Sequence, residues 1–212
     1  MKEINIIAWF DFIWPWCYLA KEILKKIEAE GEYNLLITWK PYELHPKGLE
    51  ADLAMSFLPI DVKEYIKSFW KRIEKIAGEN NIPIKLPNAL SKSRLALEAA
   101  EFARVQPNKY EKFQDLMYKA YFLDMKDIEK LKVVLNVATE SGLKADELQE
   151  ELNNGLYTSI VEQSKEQAFS YGISAVPAFI AGSAKKALFM GCQPSSTFKQ
   201  IFEEVYIKNK PS

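Results

Sequence analysis

The residues best suited to nucleophilic or proton-transfer chemistry near neutral pH are few: two cysteines, Cys17 and Cys192, and one histidine, His45. In a chain of 212 residues, two thiols and one imidazole cannot build a disulfide scaffold or a Cys/His metal cluster. Sulfur chemistry would rest on single thiols or on one pair. Cys17 closes the run Trp14-Pro15-Trp16-Cys17, and Cys192 lies in Gly191-Cys192-Gln193-Pro194. A lone imidazole suits acid/base work, and His45 reads either as that or as an exposed loop residue between Leu44 and Pro46. The aromatic residues Trp9, Phe10, Phe12, Trp14, Trp16 and Tyr18 read mainly as core and rim packing. Those nearest the turn could form an apolar wall for a substrate.

The surrounding elements bring these residues to one place. Glu3–Trp9 is apolar and rich in β-branched residues, a strand expected to be buried on both faces. From Cys17 to Gly31, Leu19, Ile23 and Ile27 fall on one helical stripe, with Gly31 as the stop. Leu35–Lys40 is a second strand, ended by Pro41. A strand, helix and strand in close succession form a right-handed βαβ unit with parallel strands, so both strands end at the same sheet edge. That edge carries the Trp14–Cys17 turn and the Pro41–Pro46 loop, where open α/β sheets bind ligands.

The middle of the chain changes period. Asp61 and Glu64 form a capping signal ahead of Ile66, Phe69, Trp70, Ile73 and Ala77, which recur at helical spacing. Helices are then expected near Ser91–Val105, Asn108–Leu123, Asp127–Ser141, Ala145–Asn153 and Tyr157–Tyr171. Beyond Gly172, VPAFIAG and KKALFMG read as an antiparallel hairpin, and Pro194–Lys208 as a closing helix. The expected organisation is a domain formed by residues 1–60 and 172–212, interrupted by a helical insertion at 61–171.

Composition sets limits on partners and location. The chain has 28 Lys and Arg against 29 Asp and Glu, and 48% of its residues are hydrophobic, as in a soluble globular protein. A net charge of −1 leaves no basic field for nucleic acid or an anionic membrane. No apolar run approaches the roughly 20 residues needed to span a bilayer. The N-terminal stretch reads as a strand and not as a signal peptide, so a cytoplasmic protein is expected.

Five blocks carry a resemblance: DFIWPWCYLAK at Asp11–Lys21, WKPYELHP at Trp39–Pro46, Pro87-Asn88 with Arg94-Leu95, YGISAVPAFIAG at Tyr171–Gly182, and GCQP at Gly191–Pro194. In content and order they resemble the thioredoxin-fold proteins of the DsbA family. The likeness is to the FrnE-like branch, which is similar to 2-hydroxychromene-2-carboxylate isomerases and kappa-class glutathione transferases. The resemblance implies an α/β thioredoxin fold, βαβ followed by ββα, with a large all-helical insertion. It also implies the oxidoreductase/isomerase class, with no required cofactor and glutathione as a possible ligand.

The departure falls on the first cysteine of the family's C-x-x-C, which is Trp14 here. In dithiol chemistry that thiol sits at a helix N-terminus and attacks, while the second resolves the mixed disulfide. Cys17 matches the second. Trp14 also lacks the hydroxyl that the isomerase and transferase branches use here to hold a glutathione thiolate. The resemblance further implies a cis bond before Pro177, with Val176 offering its main chain to a peptide or to glutathione. It adds Asn88 and Arg94 as candidate substrate contacts, with Arg94 suited to a carboxylate, to Trp16 near the turn and His45 at the sheet edge, where relatives often carry asparagine.

Cys192 replaces the family's usual alanine and lies in a rim loop. Pairing it with Cys17 would need Cα atoms within about 7 Å. Three readings follow: a DsbA-like protein with weak or absent dithiol exchange, a glutathione-dependent isomerase or transferase acting on a small aromatic substrate, and a non-catalytic peptide-binding module. A homodimer is a further possibility of the resemblance.

Overall fold

The computed structural model describes residues 1–46, 60–87, 91–106 and 108–209. They divide into two compact units, one formed by Met1–Leu44 with Gln163–Ser212 and the other by His45–Glu162. These limits differ from the 61–171 insertion expected above, because the second half of the last insertion helix packs on the sheet.

The first unit is built on a four-stranded sheet in the order β2-β1-β3-β4. Strand β1 (Lys2–Phe10) leads into helix α1 (Pro15–Ala29) and then β2 (Tyr33–Pro41). The two strands are parallel, in register from Lys2 opposite Tyr33 to Phe10 opposite Pro41. β3 (Ala178–Ala181) runs antiparallel to β1, and β4 (Ala187–Met190) antiparallel to β3. β1 is not buried on both faces as expected. Glu3 and Asn5 are exposed on one face, and only Ala8, Trp9 and Phe10 at its C-terminal end are buried in succession.

Two helices cover one face, α1 and the closing α8 (Ser195–Asn209). Ile4, Ile6, Ala8 and Phe10 of β1 are buried there with Phe198 and Phe202 of α8. Each such aromatic or branched side chain contributes roughly 1.5–3 kcal/mol by leaving water. On the other face, Trp9 donates its indole N–H to the Ser164 carbonyl at 3.1 Å. Ser164 Oγ donates to the Pro41 carbonyl at 2.6 Å, and Lys165 Nζ to the Glu43 carbonyl at 2.5 Å. Both residues belong to α7 (Thr158–Ser170), the helix shared between the units.

The second unit holds α2 (Ile60–Glu79), α3 (Arg94–Arg104), α4 (Tyr110–Phe122), α5 (Leu131–Ser141) and α6 (Ala145–Asn153). Helix α2 includes Asp61, which lies one residue past the first helical residue described, Ile60. Ala96, Ala99, Ala100 and Ala103 of α3 are buried, which lets neighbouring helices approach closely. Gly142 ends α5 at φ 85°, a left-handed stop that glycine adopts without steric cost. At the end of α3, Arg104 makes a two-pronged ion pair with Glu101, both N–H···O distances 2.7 Å, and donates to Tyr110 Oη at 3.1 Å.

Candidate active site

The site begins where β1 hands over to α1. Proline occupies the first helical position, where its fixed φ and missing N–H suit a helix start. Trp14 is the N-cap, with extended backbone (φ −96°, ψ 111°) and no side-chain cap to the helix. Its N–H donates to the Asp11 carbonyl at 3.3 Å, and its carbonyl accepts from Cys17 N at 2.9 Å. Trp14 therefore stands at the mouth of the helix, and Cys17 lies in its first turn. Trp14 and Trp16 are half-buried; every other side chain from Ala8 to Ala20 is buried.

Cys17 is fully buried. Burial pushes its thiol well above the ordinary range. A hydrogen bond from the Asp11 main chain pulls the other way, and charge on Asp11 and on Cys192 adds to the upward shift. Cys192 is half-buried, and burial raises its thiol to about 12. Both cysteines are free thiols. They sit close enough to sense each other, but neither is held as a thiolate.

The β3–β4 hairpin closes the other side of this end of the sheet. The Val176–Pro177 bond is cis, as the resemblance implies. Register puts Trp9 opposite Ala178, and Ala178 opposite Met190, in one row across the sheet. The Gly191 N–H donates to the Pro177 carbonyl at 2.7 Å, tying the Cys192 turn to the proline. Gln193 Nε2 donates to the Met190 carbonyl at 2.7 Å and braces the same turn. The main-chain groups of Ser174, Ala175 and Val176 have no hydrogen-bond partner among the described residues. Ser174 and Ala175 are exposed, and Val176 is buried.

Trp14, Trp16, Cys17, Val176, Pro177 and Cys192 all belong to the first unit. His45, half-buried, opens the second unit. Arg94, the first residue of α3, also belongs to the second unit. The carboxylates it meets there are the chain's own, Glu98 at 4.0 Å and Glu162 at 3.6 Å, and it donates to the Thr158 carbonyl at 3.4 Å. Asn88 lies outside the described residues. No group of His, Cys, Asp or Glu among the described residues could hold a metal ion. No helix among them is long and apolar enough to cross a membrane.

One participant was not singled out from sequence. Asp11 is fully buried; its carboxylate accepts the Leu44 N–H at 2.8 Å and the Ile13 N–H at 3.3 Å. It pins the loop after β2 to the turn that carries Trp14. The available signal is an acidic residue set between Phe10 and Phe12 at the end of an apolar strand, a position where a carboxylate survives only if hydrogen-bonded.

A βαβ unit joined to a ββα unit on one mixed sheet, with helices between them, defines the thioredoxin fold with a helical insertion. The family model for the DSBA-like thioredoxin domain matches residues 5–203, and this chain belongs to that family. The uncharacterised protein YwbO of Bacillus subtilis (strain 168) is 25% identical over 206 residues, covering 95% of this chain and 94% of its own. Among solved structures, a probable DsbA oxidoreductase from Streptomyces coelicolor superposes with a TM-score of 0.81 at 20% identity, covering 99% of this chain and 92% of that one. A 2-hydroxychromene-2-carboxylate isomerase superposes with a TM-score of 0.74 at 14% identity, covering 97% of each chain.

Proposed function

We propose that this chain is a member of the thiol-disulfide oxidoreductase/isomerase class whose dithiol exchange is weak or absent and whose ligand-binding edge is retained. The carrying observation is Trp14 at the helix start with Cys17 buried behind it. Exchange begins when a thiolate attacks a substrate sulfur to form a mixed disulfide, which a second thiol then displaces. Neither step has a suitable group: the first position is an indole, and burial favours the protonated form of both thiols. Two unpaired thiols suit a reducing compartment, which supports a cytoplasmic location.

The test is direct. The wild-type protein should reduce insulin no faster than background, and Trp14→Cys should create a disulfide that exchanges with dithiothreitol. If Trp14→Cys forms no reducible pair with Cys17, the equivalence of these positions to a C-x-x-C is wrong.

The full-length likeness to a 2-hydroxychromene-2-carboxylate isomerase supports a second reading, a glutathione-dependent isomerase or transferase acting on a small aromatic substrate. Against it, Trp14 supplies no hydroxyl to hold a glutathione sulfur. Titration calorimetry with glutathione separates the two readings, since micromolar binding would favour the second.

A further inference from the structure

The strands of the first unit leave a notch where β1 begins. β1 starts at Lys2, but its pairing with β3 starts only at Ile6, opposite Ala181, and Gly182 then turns the chain away at φ 101°. Residues 2–5 of β1 therefore have β2 on one side and no paired strand on the other. Successive residues of a strand send their main-chain groups to opposite sides. Lys2 N–H donates to the Glu32 carbonyl on the β2 side at 2.9 Å, and the Asn5 carbonyl accepts from Gly182 N–H on the β3 side at 2.8 Å. Glu3 thus shares the side of Asn5, where β3 has ended. The Glu3 N–H and C=O and the Asn5 N–H have no partner among the described residues.

An open cleft of about 210 Å³ lies at this notch, lined also by Gly182 and Ser183 of the turn and by Val205, Tyr206 and Asn209 of α8. Asn209 holds the turn in place through the Ala184 and Lys185 N–H groups and the Lys185 carbonyl. Glu3 is the one charged residue among those lining the cleft. One of its carboxylate oxygens accepts from Asn34 at 3.4 Å, and no cation pairs with it among the described residues. The adjacent Lys2 is already held by Glu32 and Glu203.

An N–H beside a C=O on one residue matches a ligand amide, which can exchange two hydrogen bonds with it as a strand would. An unpaired carboxylate matches an ammonium, whereas an anion would find no opposite charge there. The volume equals about seven waters. It lies below the roughly 300 Å³ at which drug-sized sites begin, so it suits a small molecule.

We infer that this cleft is a second binding site, for a small molecule that carries an ammonium next to an amide, the α-amino amide class. Glu3 supplies both parts of the recognition: its main chain pairs with the amide, and its carboxylate attracts the ammonium. The site is at the start of β1, roughly 20 Å by strand rise from the end that leads to Trp14. It uses no thiol chemistry and does not rest on the reading of lost exchange.

The experiment is a titration of the nitrogen-15-labelled full chain at pH 6.5, where an α-amine is protonated, followed through amide chemical shifts. Three probes share one apolar body: leucinamide, N-acetyl-leucinamide, which keeps an amide and loses the charge, and isoamylamine, which keeps the charge and loses the amide. Leucinamide should shift Glu3, Asn5, Gly182 and Ser183 saturably and leave Trp14 and Cys192 in place. Each of the other two should bind about fivefold more weakly, the scale of one exposed ion pair or one hydrogen-bonded amide. Glu3→Gln, an exposed and nearly isosteric change, should lower leucinamide to the affinity of its acetylated form. A tetrapeptide amide, Leu-Gly-Ser-Gly, should bind more weakly than leucinamide; equal or tighter binding would overturn the small-molecule assignment in favour of a peptide N-terminus. Equal affinity for leucinamide and its acetylated form overturns the inference, as does no saturable shift at millimolar probe or shifts confined to Trp14 and Cys192. The Trp14→Cys exchange assay is untouched by any of these results.

Discussion

At Cys17 two effects of a helix start oppose each other. The dipole and free N–H groups of the first turn stabilise a thiolate by about 0.3–1 kcal/mol at exposed sites. Removing a charged sulfur from water costs more than that, and at this fully buried position the thiol moves up, so burial wins. Cys192 follows the same rule at half burial. The consequence can be measured with iodoacetamide and mass spectrometry at pH 7. Cys192 should alkylate about a thousandfold more slowly than an ordinary thiol, given its thiolate fraction, and Cys17 should stay protected until the protein unfolds. Labelling of Cys192 should accelerate as pH rises toward about 12. Rapid labelling of either thiol at neutral pH would sink this account.

Among the elements, the hairpin and the helix that follows it are locked by a single glycine and a single asparagine. Gly182 follows β3 at φ 101°, and a Cβ there would lie 2.3 Å from the Lys185 carbonyl oxygen. Asn209, in the last turn of α8, accepts from the Ala184 and Lys185 N–H groups at 3.0 and 2.9 Å. It also donates to the Lys185 and Val205 carbonyls, both at 2.8 Å. Gly182→Ala should therefore destabilise the protein by about 2–3 kcal/mol in urea unfolding, since strain at φ > 0 adds to a backbone clash. A loss below half a kcal/mol would mean that the turn yields freely.

Helix α4 offers the opposite case. Gln114 is fully buried, and neither its amide oxygen nor its amide nitrogen has a hydrogen-bond partner among the described residues. An unpaired buried amide costs about 1–3 kcal/mol. Gln114→Met keeps the length of the side chain and removes the polar atoms, so it should raise stability by about 1 kcal/mol or more. A clear destabilisation by Gln114→Met would show that the amide has a partner in solution.

For the molecule as a whole, the groups whose proton affinity is most altered by folding are neutral acids. Burial raises Cys17, Cys192 and Tyr110, all of which stay protonated in the fold at neutral pH. An acid raised in the folded state contributes stability below its unfolded value, and that contribution is lost as pH climbs toward the folded value. Stability should thus be level through neutrality and fall from about pH 9 toward about pH 12, starting as unfolded thiols begin to ionise. Urea midpoints measured between pH 7 and 11 check this. The Cys192→Ala variant should show a shallower alkaline decline than the wild type, and an unchanged slope would remove Cys192 from the account.

Periodicity and turn residues made much of the fold legible without coordinates. The alternation from β1 to α1 to β2, the helical run and the final hairpin are local patterns, and a βαβ unit has one usual hand. That position 14 holds a tryptophan and not a cysteine was equally plain, as a matter of residue identity. What required tertiary structure was burial and pairing between distant residues. Nothing in the local sequence says that Asp11 bonds to Leu44, that Ser164 rather than residue 171 marks where the chain returns to the sheet, or that Arg94 meets Glu98 and Glu162. Nor could the spacing of Cys17 and Cys192 reveal that burial leaves both protonated. A thiol's identity is written in the chain, but its proton affinity is set by the water and charges around it, and those are decided only when the sheet and α1 close over it.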